Sequence, residues 1–145
     1  MFLSVHPSPF TYHSLSLLKT NNYMRPHENL DVWKMAVEFV VKIYECTKTF
    51  PSEEKFGLTS QIRRASVSIP ANIAEGAARR YDNEFLQFLS IAQGSASELE
   101  TELLIAQKLG FIKKQNYEQL YSELNTIGRK IVGLSNHVKN RGDKK

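Results

Sequence analysis

From residue 31 onwards, apolar side chains recur every three or four positions, the spacing that places them on one face of an α-helix. Asp31 offers an N-cap for the first such segment. The Phe50-Pro51 step ends it, because the residue before a proline is driven out of helical geometry. The pattern predicts a first helix over 31–49, with an apolar stripe of Val32, Met35, Ala36, Phe39, Val40 and Ile43.

Two later segments, 82–109 and 114–140, have the most regular stripes. Asp82 offers an N-cap for the earlier one, and Gly110 follows its end. The stripe of 82–109 comprises Phe85, Phe88, Leu89, Ala92, Ser95, Ala96, Leu99, Leu103 and Ala106. The stripe of 114–140 comprises Tyr117, Leu120, Tyr121, Leu124, Ile127, Ile131, Leu134 and Val138.

The segment 53–79 is less regular, although Ser52 offers an N-cap and apolar residues recur at helical spacing. Its stretch 65–69 has the composition of a strand, and Pro70 follows directly. A lone strand would have no pairing partner in this chain. We therefore predict a helix that is kinked near Pro70.

Short connections near Pro51, Tyr81 and Gly110 force consecutive helices to be antiparallel neighbours. The predicted fold is all-α, an antiparallel up-down-up-down four-helix bundle over residues 24–140. Residues 141–145 are expected to form a basic, frayed tail.

Residues 1–23 differ from the rest, with no acidic residue and with interspersed prolines and serines. They lack the basic start and unbroken apolar stretch of a secretory signal. Two interpretations stay open: a disordered leader, or a natural start at Met24, in which case the leader is not native.

The composition is that of a soluble globular domain: 145 residues, 41% hydrophobic and 23% charged, with a formal net charge of +4. No apolar run is long enough to cross a membrane. The single cysteine, Cys46, excludes an intrachain disulfide and is expected to be a small buried or half-buried residue. We expect a cytoplasmic protein that makes no contact with membranes.

The motifs of common catalytic and metal sites are absent from the sequence. There is no Glu-x-x-His pair for a di-iron bundle, no His-Glu-x-x-His and no phosphate-binding glycine loop. We expect neither enzymatic activity, nor a metal site, nor a cofactor.

Polar groups concentrate in the second and third predicted helices. In an antiparallel hairpin that turns near Tyr81, Arg63 or Arg64 lies at the height of Glu98. Two interpretations are open for these arginines: an ion-pair seam with Glu98, or outward guanidinium groups that contact phosphate.

A second group of small and polar residues follows in the same helix. Gly76 and neighbouring alanines let another helix approach closely. Asn72 and Glu75 share one face. Because a buried unpaired amide or carboxylate is costly, we expect both to bond across helices or across a subunit interface, and to be structural.

The hairpin tip carries Arg79, Arg80 and Tyr81. The arginines suit the C-terminal end of a helix dipole. They suit equally a patch that grips RNA backbone while Tyr81 stacks on a base. If RNA is bound, Arg79 and Arg80 should matter more than Arg63 and Arg64, because the tip is exposed.

Several runs resemble one known family. Leu30–Ala36, Gly57–Ala65, Ser68–Gly76 and Gly94–Thr101 are similar to the four-helix-bundle family of ribosomal-RNA intervening-sequence proteins. The run Ser-Ile-Pro-Ala-Asn-Ile-Ala-Glu-Gly is the most specific of them. The likeness extends over about 29–138.

The resemblance implies a homo-oligomeric ring, a pentamer, and a relation to the accessory protein of diversity-generating retroelements, which binds reverse transcriptase and nucleic acid. Two functions follow as hypotheses. The first is a non-catalytic oligomer that binds RNA or assists a complex of RNA and reverse transcriptase. The second is a protein-binding scaffold or adaptor without nucleic-acid contact.

Overall fold

The computed structural model of the chain describes residues 23–142, and within this range it contains α-helices and short 3-10 turns but no strand. The four α-helices confirm the predicted fold class. They are α1 (Asp31–Thr47), α2 (Leu58–Ala77), α3 (Asp82–Lys108) and α4 (Lys114–Gly142). The 3-10 turns are Pro26–Asn29 and Ser52–Glu54. The predictions for the leader, apart from Tyr23, and for the final three residues lie outside the described range.

The core is built from one buried stripe of each helix. Ile43 of α1, Ile73 of α2, Leu89 of α3 and Ile127 of α4 are completely buried. Removing such a side chain from water contributes about 1.5–3 kcal/mol. The helical periodicity of the sequence is therefore the periodicity of the core.

The second helix begins later than its sequence suggested. Ser52 opens a 3-10 turn and caps no α-helix, and the backbone leaves helical geometry at Gly57 (φ −105°, ψ −117°) before α2 starts at Leu58. A carboxylate oxygen of Glu54 accepts a hydrogen bond from the Leu58 N–H at 3.0 Å. The acceptor for the first N–H of α2 is therefore a side chain of the preceding 3-10 turn, and not the residue that flanks the helix.

Pro70 lies inside α2, which continues as an α-helix on both sides of it. Proline has no N–H, so the carbonyl of Ser66 loses its usual helical donor. The helix is nevertheless retained, because Ile69, Pro70 and Ile73 are all buried. The kink near Pro70 stays a prediction.

Helices α2 and α3 are antiparallel. Ser95 donates a hydrogen bond to Ser68 at 2.9 Å between their hydroxyl oxygens, and Gly76, further along α2, lies against Phe85 and Phe88, which come earlier in α3. The two helices therefore approach each other closely where the glycine lies.

The last helix is longer than predicted. Arg141 belongs to α4 and not to a frayed tail, because its guanidinium forms two hydrogen bonds to the Asp82 carboxylate, at 2.7 and 3.2 Å. This ion pair joins the end of α4 to the start of α3. Among the described helices, none is long and apolar enough to cross a membrane.

Candidate nucleic-acid interface

Three helix ends meet at one end of the bundle: the end of α2, the start of α3 and the end of α4. The Arg141–Asp82 ion pair fixes their relative position. A groove of about 450 Å³ there is lined by residues from both sides, including Tyr81, Leu86 and Lys139. We call this region the basic end, formed by Arg79, Arg80, Tyr81, Lys139 and Arg141.

Arg79 is the most constrained side chain of the basic end. Its guanidinium pairs with Glu75 one turn earlier, at 2.8 Å, and its Cζ lies 4.8 Å from the centre of the Phe88 ring. Glu75 lies in α2, four residues before Arg79, and Phe88 lies in α3, so the guanidinium is held between the two helices. The charge of Arg79 is thus largely balanced within the chain.

Arg80 and Tyr81 are the most available groups of the basic end. The Arg80 Cζ lies 5.5 Å from the centre of the Tyr81 ring, and Tyr81 is 61% exposed. No ion pair of Arg80 forms among residues 23–142. An exposed aromatic ring beside an unpaired guanidinium is an arrangement that can stack on a base and contact a phosphate.

Arg63 turns towards α1, away from Glu98. Its Nε donates a hydrogen bond to the Thr47 hydroxyl at 2.8 Å, and its Cζ lies 4.6 Å from the centre of the Tyr44 ring. The expected ion pair with Glu98 is therefore wrong for this arginine. Arg63 joins α1 to α2.

Arg64 lies on the other side of α2, in a cleft of about 300 Å³ between α2 and α3. The cleft is lined by Gln61, Arg64, Ala65, Ser68 and Glu98. Arg64 and Glu98 share it, yet within the described chain neither takes part in an ion pair. The predicted ion-pair seam does not form, because α2 presents Arg63 to α1 and leaves Arg64 in solvent.

Glu102 lies one turn beyond Glu98 on α3 and was not recognised as special in the sequence. It is 5% exposed, and its Oε2 atom has no hydrogen-bond partner in the described chain. Burial, then a hydrogen bond to Glu98 and the Glu98 charge, raise the pKa of the Glu102 carboxyl to about 7. The spacing of Glu102 from the buried residues of α3 places it on the stripe that faces α2. This spacing could have indicated that Glu102 is buried.

Asn72 bonds within its own helix. Its amide nitrogen donates to the Ser68 carbonyl at 2.7 Å and to the Ser68 hydroxyl at 2.9 Å. Because Ser95 also donates to that hydroxyl, Asn72 reaches α3 through Ser68. The expected direct bond across helices is wrong for this chain, since Ser68 lies one helical turn away.

Glu75 and Gly76 have different roles. Glu75 is exposed and pairs with Arg79, which follows the end of the same helix, so the expected bond across helices is wrong within this chain too. Gly76 is buried, and a Cβ on it would lie 2.9 Å from Cδ2 of Phe85. The close approach predicted for Gly76 is confirmed.

Sequence reasoning also missed Lys139 and Arg141 as neighbours of the hairpin tip. In an antiparallel bundle the chain end lies beside the loop between the second and third helices. This topological relation was the available signal. It adds two cations to the basic end.

Two features of the described residues bear on catalytic chemistry: the state of Cys46 and the arrangement of potential metal ligands. Cys46 is half-buried, and burial raises the pKa of its thiol, which lowers the fraction of reactive thiolate. Across residues 23–142, no group of three or more His, Cys, Asp or Glu side chains is arranged to hold a metal.

Comparisons with known proteins agree with this architecture. A family model described as 23S rRNA-intervening sequence protein matches residues 28–133. A crystal structure of a protein with unknown function from the S23 ribosomal protein family of Bacteroides thetaiotaomicron VPI-5482 is similar to this chain, with 27% identity and a TM-score of 0.67. The similarity covers 72% of this chain and 97% of that chain. No curated protein matches the chain.

Proposed function

Because the chain belongs to the family of 23S rRNA-intervening sequence proteins, as its motifs indicate, we propose that it is a non-catalytic RNA-binding protein that uses its basic end. The observation that carries this proposal is the pairing of Arg80 with the exposed ring of Tyr81. Guanidinium groups bind phosphate in a bidentate manner, and aromatic side chains stack on unpaired bases. The two residues therefore supply both parts of single-stranded RNA recognition.

The charge distribution supports contacts at this end. Arg79 and Arg141 are balanced by Glu75 and Asp82, whereas Arg80 has no such partner in the described chain. Within the described chain, no carboxylate is paired with Arg80 that a phosphate would have to displace. We expect Arg80 to contribute more to RNA affinity than Arg79.

The proposal includes assembly of several copies into a ring, five-fold as the family resemblance implies. One or two phosphate contacts per chain give weak binding, and a ring multiplies them through effective concentration. Val41 and Ile91 are exposed apolar side chains that a contact between copies would remove from water, which supports assembly.

A second function, a scaffold that binds a protein such as a reverse transcriptase without touching RNA, is favoured by one observation. Phe56, between α1 and α2, is 89% exposed. An aromatic side chain in that position suits a protein interface. Replacing Phe56 by Ser would weaken the scaffold function and leave RNA binding unchanged.

The test of RNA binding is a salt titration. A single-stranded RNA is bound at about 50 and 200 mM salt, where each phosphate contact contributes a log–log slope of about −0.7 for single strands, or about −0.9 by the duplex DNA value. We expect the double variant Arg79→Ala/Arg80→Ala to bind more weakly, with a flatter slope. The oligomer is first shown to survive the substitutions.

The matched control is Lys113→Ala/Lys114→Ala. It removes the same charge at the opposite end of the bundle, between α3 and α4. Equal losses of RNA affinity in both double variants would show that the effect depends on net charge and not on the basic end. Undiminished affinity in the Arg79/Arg80 variant would exclude the basic end, and wild-type protein without salt-sensitive RNA binding would favour the scaffold function.

A further inference from the structure

Exposed stripes on α1 and α3 have the same spacing and opposite charges. On α1 the stripe is Lys34, Val41 and Lys48, and on α3 it is Glu84, Ile91 and Glu98. Members of each stripe are seven residues apart, which is about two helical turns or 10.5 Å. Each stripe therefore presents a hydrophobic residue midway between two like charges.

All of these residues except the half-buried Glu84 are exposed, and Glu98 also forms a hydrogen bond to Glu102. Val41 and Ile91 are 59% and 51% exposed. Within the described chain, Lys34 and Glu98 take part in no ion pair. Lys48 pairs with Glu45 at its own surface, a contact that an interface can replace at small cost.

The two stripes cannot satisfy each other within one chain. Among the described residues no Cα atom of α1 lies within 8 Å of a Cα atom of α3, because both helices pack on α2 and α4. The lysine stripe of one copy can therefore pair with the glutamate stripe of another copy.

We infer that the α1 stripe of one copy packs on the α3 stripe of a second copy, with Val41 against Ile91 and lysines against glutamates at both ends. This inference rests on the assembly proposed above and names the surfaces that form it. The contact joins two different surfaces, so it is heterologous, the type of contact that forms a ring when the rotation between copies closes.

Gly94 gives the interface a recess. It lies between Ile91 and Glu98 on α3, and a Cβ built on it has no atom of the described chain within 4 Å. The charge pattern reads the same in both directions, so Lys34 meets Glu98 when the helices are antiparallel and Glu84 when they are parallel. In either direction an exposed α1 side chain, Val37 or Tyr44, comes over Gly94.

The test is a charge exchange read by light scattering. We expect Lys34→Glu and Glu98→Lys each to raise the dissociation constant of the oligomer at least about tenfold, because like charges then face each other across the contact. Combining Lys34→Glu with Glu98→Lys, or with Glu84→Lys, should restore assembly; the pair that does so reports the helix direction.

The matched controls reverse charges elsewhere. Lys130→Glu and Glu118→Lys change exposed residues of α4 and should leave the mass unchanged. Circular dichroism confirms that every variant is folded. Single variants that assemble normally, or dissociated variants that neither combination restores, would overturn the inference.

A steric pair of variants tests the same surface without charge. Gly94→Trp should dissociate the oligomer, while Gly133→Trp, on α4 and equally open, should not. Normal assembly of Gly94→Trp would overturn the inference. A wild-type protein that stays monomeric would instead overturn the proposed assembly itself, and the two failures are thereby distinguishable.

Discussion

Gly76 lies so close to Phe88 that a Cβ on the glycine would stand 2.6 Å from the Cβ of Phe88. Real Cβ atoms do not approach this closely, and the obstructing atom is attached directly to the α3 backbone. The glycine is therefore a requirement of the close contact between α2 and α3. It stands directly before the tip that carries Arg79, so the packing positions the basic end.

Gly76→Ala should destabilise the protein although alanine is the better helix former. The helix gains about 0.5–1 kcal/mol, but overpacking costs about 1–3 kcal/mol. We expect a net loss of about 1 kcal/mol, within a range of about 0–2.5 kcal/mol, in the free energy of unfolding, measured in urea at fixed protein concentration. Gly133→Ala, with open space around its Cβ, should be stabilising, and a stable Gly76→Ala would disprove the contact.

Arg63→Ala and Arg64→Ala should differ in stability although the residues are adjacent. Arg63 loses a charged hydrogen bond to Thr47 and its stacking on Tyr44, which together contribute about 1–3 kcal/mol. Arg64 is exposed and unpaired within the described chain, so we expect a change below about 0.5 kcal/mol. Urea unfolding of both variants provides the measurement, and equal losses would contradict the assignment.

This pair also marks the limit of prediction from sequence. Helical periodicity placed Ile62 and Ala65 in the core and left the intervening arginines outside. Their partners depend on how α2 is rotated about its axis, about 100° per residue. The packing of α2 against α1 and α3, including the close approach at Gly76, sets this rotation. The helical periodicity of the sequence alone does not specify which neighbour each arginine meets.

The start of α2 was unpredictable for a related reason. Ser52 is a good N-cap in isolation, whereas the first N–H of α2, that of Leu58, bonds to the Glu54 carboxylate. That contact depends on how the turn before α2 folds. The prediction and the structure agree on the bounds of α3 to within one residue, although Tyr81 and not Asp82 is its N-cap.

Glu102 should make the stability of the protein fall as the pH rises from about 4.5 to about 7. Burial and Glu98 raise the pKa of Glu102 to about 7, above its ordinary value of 4.5. The folded state therefore holds this proton more tightly than the unfolded state does. The stabilisation is complete below about pH 4.5 and is lost as the pH rises through about 7, by at most about 1.4 kcal/mol per pH unit.

Glu102→Gln keeps the shape of the side chain and removes the titration. We expect its unfolding free energy to be flatter between pH 5 and 8, and to exceed that of the wild type at the upper end. Other groups also titrate in this range, so the difference between variant and wild type is the readout. Glu118→Gln, at an exposed position, is the control; identical profiles for Glu102→Gln and wild type would refute the buried proton.

Arg80→Ala should weaken RNA binding more than Arg79→Ala. Arg79 is already balanced by Glu75 and held over Phe88, whereas Arg80 lies beside the exposed Tyr81 ring. Loss of one phosphate contact flattens the salt slope by about 0.7 for single-stranded RNA. Salt titrations of the two single variants measure this directly, and a larger effect of Arg79→Ala would reverse the ranking.

Tyr81→Leu should reduce the affinity for single-stranded RNA at every salt concentration, because it removes stacking and no charge. A stacked base contributes about 1–3 kcal/mol, so we expect a loss of about 5- to 150-fold per occupied site. Tyr81→Phe keeps the ring and should bind almost as the wild type does. Tyr121→Leu, which removes an exposed tyrosine from α4, should have no effect. Fluorescence anisotropy with one labelled RNA compares all four proteins, and equal affinity of Tyr81→Leu and wild type would exclude base stacking at the basic end.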